Sequence, residues 1–433
     1  MEVREPSAKY LARPALKQTE VGLIPDDWQV STVGEEFAVD LGKMLDSEKN
    51  TGVPKPFLGN RAVQWGHIDV SDIGEIKLSP TELYRFRLRD GDLLVCEGGE
   101  VGRSAIWREP IDECYYQKAL HRLRPKRGFN VVLAQNILHF LSTTGVLQNY
   151  VTQTSIAHLP KDKFEGVPIP LPPTAEEQQA IAEALSDADA LIEALAQLLA
   201  KKRQIKQGAM QELLTGQRRL PGFAGEWEVK PMGELFDFSG GFTASRDQLG
   251  EDGYCYLHYG DIHMSSKTYL DVRAEFQEIP KLEIHLKQVG RASLLGDGDV
   301  AFVDASEDDE GTSKHMVVVN PDGVPFISGL HTIVAKGKTG ELDDGYKRYC
   351  FQATAVKAQF RYFAVGTKVS GVSKTNIAKI EIAVPSIKEQ TAIASILSDM
   401  DAEIATLEAR LAKARQLKQG MMAELLTGRI RLV

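Results

Sequence analysis

The sequence predicts an α+β protein in which two pseudo-symmetric globular domains are separated by an antiparallel coiled coil of two long helices. Three observations lead there. The segment Glu177–Leu220 returns as Glu389–Leu432, with 28 of its 44 positions identical. The apolar positions of both copies step by four and three throughout. Short motifs outside the copies also recur, in the same order, in the two stretches of chain that precede them, so the duplicated unit is a globular domain followed by a helix.

The first domain, with an N-terminal arm, is assigned to residues 1–172 and the second to 217–385. "IPDDWQVSTVGE" around Trp28 returns 199 residues later as "FAGEWEVKPMGE" around Trp227, and at the same offset Leu58 and Val63 fall on Leu257 and Ile262. "LRDGDLLVCEGG" corresponds to "LGDGDVAFVDAS", "KALHRL" to "SGLHTI" with Leu120-His121 opposite Leu330-His331, and "TSIAHLPKDKF" to "TKVSGVSKTNI". Apolar runs entered from Asp-Gly turns, "DLLVC" and "DVAFV", read as strands. "NVVLAQNILHFLSTTGVLQNYV" and "YKRYCFQATAVKAQF" read as helices.

The two long helices occupy residues 173–216 and, with a short tail, 386–433. Thr174 and Ser386 each stand three residues before a Glu, the pattern of a reciprocal capping box, and Gly216 and Gly428 suit the left-handed stop of a helix. A seven-residue period of apolar positions indicates a coiled-coil seam: Ile181, Leu185, Ile192, Leu195 and Leu199 in one copy, Ile393, Leu397, Ile404, Leu407 and Leu411 in the other. Lys202, Lys206 and Lys418 stand where the seam should be apolar, and snorkelling to solvent is their expected accommodation. Parallel helices would oblige the second domain to carry the chain back about 55 Å, whereas an antiparallel pair requires no return.

Composition narrows the function. No apolar run reaches the roughly 18 residues of a membrane span, and the N-terminus lacks the pattern of a signal peptide, so a cytoplasmic location is expected. Four dispersed cysteines suggest buried thiols rather than zinc or disulfides. The net charge of −9 weighs mildly against nucleic acid, yet "KALHRLRPKR" holds five basic residues and "KKRQIK" four. Catalytic signatures do not stand out. "NPDG" lacks the aromatic clamp of amino-methylating enzymes and reads as a β-turn, "CEGGEVGRS" lacks the Lys-Ser/Thr of a P-loop, and "HYGDIH" is a poor metal site in what reads as a strand.

Two differing domains alternating with two nearly identical helices, introduced by "LPP-x-x-x-EQ" or "VPS-x-x-EQ" and closed by "LLTG", resemble the specificity subunit of type I restriction-modification systems. The resemblance covers essentially the whole chain. It implies that the globular domains are target recognition domains, each reading one half of a bipartite, asymmetric site in double-stranded DNA, while the helices set the spacer. It further implies docking of two modification (methyltransferase) subunits on the helices and addition of restriction (translocase and nuclease) subunits. S-adenosylmethionine, ATP and Mg would then belong to those partners, and this chain would bind no cofactor, have no catalytic residues and touch no membrane. Candidate DNA contacts are the like-placed Lys161 and Lys374, the nearby Ser155 and Ser370, and Lys118, Arg122, Arg124, Lys314, His315 and Lys368. A non-catalytic two-headed protein-interaction scaffold is the alternative reading.

Overall fold

The computed structural model describes residues 15–46, 50–71, 73–153, 157–306, 311–338, 340–366 and 370–432. Ser155 and Lys368 therefore lie outside the described residues. The chain divides into two compact units, Met1–Ala196 with Ala409–Val433 and Gln197–Glu408. Both boundaries fall inside the long helices, Ala175–Leu213 and Ile387–Leu425, so each unit comprises a globular head and half of each helix.

In the first unit the head begins and ends on adjacent strands, Gln29–Thr32 and Pro168–Leu171, which pair antiparallel with Gln29 opposite Leu171. The Thr32 hydroxyl then accepts the Glu35 amide, and the Glu35 carboxylate accepts the Thr32 amide, starting a one-turn helix that delivers the chain to Phe37–Leu41. That strand edges an antiparallel sheet of order Phe37–Leu41, Leu120–Pro125, Leu93–Cys96, Ser104–Ile106. The uninterrupted burial of "LLVC" is what a central strand requires, and the preceding turn depends on Gly91 at φ +82°. Asn130 caps the helix Val131–Thr143 by accepting the amides of Val132 and Leu133. Leu133, Ile137 and Leu141 from that helix join Ile181 and Leu185 of the central helix and Met422 and Leu425 of the last helix in one core. A smaller sheet built on Val53–Leu58 completes the head.

The second unit repeats this plan. Its head begins on Glu228–Pro231 and ends on Glu381–Val384, again paired antiparallel, and its main sheet has the order Phe236–Gly240, Thr332–Gly337, Val300–Val303, His315–Val319, Tyr269–Asp271. Leu213, Ile393 and Leu397 of the long helices enter its core.

Strand register corrects one equivalence drawn from sequence. Phe37 faces Pro125 as Phe236 faces Gly337, and Leu93 faces Leu123 as Val300 faces Ala335. The two strands are therefore related by an offset of 212, and His121 corresponds to Ile333 rather than to His331. A slip of two residues preserves the inward-outward alternation of a strand, so hydrophobic pattern alone cannot detect it.

Within each unit the helix halves run antiparallel. In the first, Glu177 meets Arg431 and Asp189 meets Lys418; in the second, Glu389 meets Arg219 and Asp401 meets Lys206. Ile181, Leu185, Leu195, Leu199, Ile393, Leu397, Leu407 and Leu411 are buried, and Ile192 and Ile404 are half-buried. Gly216 and Gly428 stop the helices at φ +71° and +65°.

Two local expectations change. Thr174 and Ser386 do accept the amides of Glu177 and Glu389. The carboxylates, however, are turned to arginine: Glu389 takes both Nε and Nη2 of Arg219 at 2.7 Å, and Glu177 grips Arg431 in the same bidentate way. Trp227 lies under Arg219 and Trp28 under Arg431, so the tryptophans repeated in sequence close equivalent clamps. Nor do the seam lysines snorkel to solvent. Lys202 pairs with Glu403, Lys206 with Asp401 and Lys418 with both oxygens of Asp189, because an acid one helix away offers a better partner than water at a half-buried position.

Candidate nucleic-acid interface

In each head, segments at one end of the main sheet are held together by backbone bonds that obey the repeat. The Glu97 amide donates to Ala119 O and the Leu159 amide to Glu97 O; in the second unit the Asp304 amide donates to His331 O and the Val372 amide to Asp304 O. Residues 97, 119 and 159 thus map onto 304, 331 and 372. The loops so joined follow one strand of each sheet, precede the next, and lead from a short hairpin into a one-turn helix, Lys161–Glu165 or Lys374–Ile377.

Side chains extend this platform differently in the two heads. In the first, the Asn60 amide donates to Gly98 O at 3.0 Å, Arg103 donates to Asn60 O at 2.9 Å, and Gly98 bridges His158. The Trp65 indole donates to Glu100 at 2.6 Å and stacks on His139 at 4.4 Å. The buried Asn60 Oδ1 has no donor among the described residues, leaving an acceptor for a ligand or water. Gly102, at φ +84°, lets the loop pass Leu147, whose Cδ2 would lie 2.3 Å from a β-carbon there.

In the second head, "HYGDIH" forms a helix, Tyr259–Met264, rather than the expected strand, because the His258 ring accepts the Gly260 amide and caps it. Among the described residues no three acids, histidines or cysteines are grouped to hold a metal. His263 contacts Ser306 Oγ at 3.4 Å, and Lys314 donates to His263 O. Asp304 lies 3.3 Å from His331, whose ring meets Tyr259 edge-on at 5.4 Å. Burial, reinforced by Arg246, lowers the pKa of His258. His331 is 51% exposed and has φ +61°, a left-handed conformation uncommon for a residue with a β-carbon and found where a site over-determines the backbone.

The residues nominated from sequence divide accordingly. Lys118 is exposed on the turn before Leu120–Pro125, beside Ala119. Lys161 starts its short helix and pairs with Glu165 at 3.6 Å, while Lys374 starts the equivalent helix and is exposed. Lys314 and Ser370 reach the second platform, Ser370 through its pairing with Ser306. Arg122, Arg124 and His315 do not belong with them. Arg122 is 5% exposed and bonded to Asp40, and Arg124 is engaged by both oxygens of the buried Asp92, so both guanidinium groups are used within the fold. His315 lies in the core between Phe302 and Phe351.

Sequence reading passed over Asn60, Trp65, Arg103, Asp304 and His331. The signal for Asp304 and His331 lay in "VDAS" and "SGLH", already paired with the first copy as markers of the repeat rather than as site residues.

The family model for the type I restriction modification DNA specificity domain matches this chain twice, at residues 25–204 and 224–416. A putative type I restriction enzyme specificity subunit of Methanocaldococcus jannaschii is 23% identical over 448 residues, spanning 96% of each chain. The corresponding subunit of a Salmonella potsdam enzyme is 21% identical over 94% of this chain and 90% of its own. Among solved structures, a type I restriction-modification S subunit from M. genitalium covers 92% of this chain and 96% of its own at 14% identity, with a TM-score of 0.57. A chain solved in work on complex assembly and conformational transition of the type I system covers 94% and 99% at 16% identity, with a TM-score of 0.55.

Proposed function

The chain belongs to the family of type I restriction-modification DNA specificity subunits, and from that premise we propose that each unit reads one half of a bipartite DNA site through its loop platform. The observation that carries this reading is the conserved backbone frame, residues 97, 119 and 159 against 304, 331 and 372, bearing unlike side chains. Such an arrangement holds two readers in the same pose while letting them differ in sequence preference. Lys118, Lys161 and Lys374 are suited to phosphates, and Asn60, His258 and His331 to base edges.

Recognition is non-catalytic. Methyl transfer and cleavage would come from modification and restriction subunits, which would carry S-adenosylmethionine, ATP and Mg. The exposed apolar residues Leu191, Leu198, Ile205 and Leu417 on the long helices supply docking surface for two modification subunits.

Binding assays with the modification subunit present test the assignment. Lys118→Ala should weaken binding to every duplex and reduce the salt slope by about 1, whereas His331→Ala should relax preference at one or two positions and spare the salt slope. Unchanged preference and affinity in both variants would refute the platform as the reading surface.

A further inference from the structure

We propose that the second unit carries a phosphate-binding pocket, separate from its loop platform and without counterpart in the first unit. The pocket is an open cleft of about 850 Å³ lined by the helix Thr354–Phe363, Arg348, the segment Ser266–Tyr269 and the long helices within that unit. Its acids are already engaged: Asp401 by Lys206 and the Tyr349 hydroxyl, Glu408 by Arg203 at 2.6 Å. Lys267, also in the wall, pairs with Glu275.

Three further cations in the wall, Arg348, Lys357 and Arg361, have no carboxylate within ion-pair distance among the described residues. The Arg348 guanidinium lies 4.1 Å from the centre of the Tyr269 ring, and its buried Nε has no acceptor. A buried donor without a partner is costly, and a planar guanidinium held on an aromatic face presents a fork matched to phosphate oxygens. Lys357 and Arg361 are one helical turn apart on the same face, where like charges repel until an anion lies between them. The offset of 213 that relates the paired strands Pro168–Leu171 and Glu381–Val384 places Gln135, Thr144 and Gln148 at the corresponding positions of the first unit. The charge is thus particular to the second unit.

The phosphate could be a phosphodiester of bound DNA, which rests on the DNA-reading assignment above, or a free polyphosphate, which does not. The test uses the full chain, with its modification subunit for the DNA measurements, and the double variant Arg348→Gln/Arg361→Gln. Arg361→Gln alone serves should the double variant misfold, and Gln352→Ala is the uncharged control in the same cavity. If DNA supplies the phosphate, the slope of log Kd against log salt falls by about 1 per contact removed, equally for specific and random duplexes. If the source is free polyphosphate, calorimetry shows tripolyphosphate binding to the wild-type chain and not to the variant, with the salt slope unchanged.

The pocket assignment is overturned if neither quantity responds, or if only association with the modification subunit is lost, which would indicate an acidic protein segment. Failure of the wild-type complex to bind any duplex would instead defeat the DNA-reading assignment, and the tripolyphosphate titration would still decide the pocket.

Discussion

Two buried histidines make this fold sensitive to acid. Burial lowers the pKa of both His121 and His315 to about 4, with nearby Lys161 and Lys357 acting in the same direction. The His121 Nε2 lies 2.9 Å from Leu159 O while its Nδ1 has no acceptor, so Nε2 carries the proton and a second proton would be buried unpaired. The unfolded chain takes up these protons near pH 6.5, before the native state does. Stability is therefore complete above that pH and declines as pH falls towards 4, by on the order of 3 kcal/mol for each imidazole. Urea unfolding at pH 7.5, 6 and 5 should show the decline, and His121→Gln, which keeps a donor for Leu159 O, should flatten part of it. An unaltered slope in that variant would place the sensitivity elsewhere. Sequence reading names His315, beside Lys314, among the candidate DNA contacts. The strand is covered on both faces, with Met316, Val317 and Val318 also buried, which leaves His315 no route to the surface.

At the scale of elements, the long helices were the most legible feature, since a period of seven and two end signals are local properties of sequence. What sequence could not convey was the partner of each polar group. Glu177 looks like a capping residue until Arg431, 254 positions away, is brought against it. Lys418 likewise looks anomalous until Asp189 meets it. The platforms were less legible still, because Asn60, Gly98 and His158 become neighbours only through sheet topology. The seam pairs make a quantitative prediction. Lys418 is 15% exposed, so Asp189→Ala should cost about 1–3 kcal/mol by stranding its ammonium, whereas Asp189→Leu/Lys418→Leu should recover most or all of the loss. Asp401→Ala should cost more, because the Tyr349 hydroxyl also loses its charged acceptor and keeps only Ser398 Oγ. Denaturant unfolding of the single and double variants measures the coupling; additive losses would show that the pair contributes nothing of its own.

At the scale of the molecule, each head begins and ends on two adjacent, paired strands: Gln29–Thr32 with Pro168–Leu171, and Glu228–Pro231 with Glu381–Val384. The clamps that join head to helix lie outside these strands, on Trp28, Glu177 and Arg431 in one unit and Trp227, Glu389 and Arg219 in the other. A head is therefore a cassette whose two junctions are side by side and whose attachment is the same in both copies. Replacing residues 228–384 with a second copy of residues 29–171 should preserve both junction strands and the Trp227–Arg219–Glu389 clamp. The grafted chain should fold with a melting temperature within a few degrees of the parent, since Ile393, Leu397 and Leu213, which enter the second head's core, are the same residues as Ile181, Leu185 and Leu425, against which the grafted head already packs. Under the function proposed above, the graft assembled with a modification subunit should direct methylation to sites that contain the first half-sequence twice and no longer the second. Sequencing modified bases across DNA exposed to the two complexes would read this outcome directly. Retention of the original second half-sequence by a folded graft would mean that recognition resides in the helices or the partner subunits, and the loop platforms would lose their assigned role.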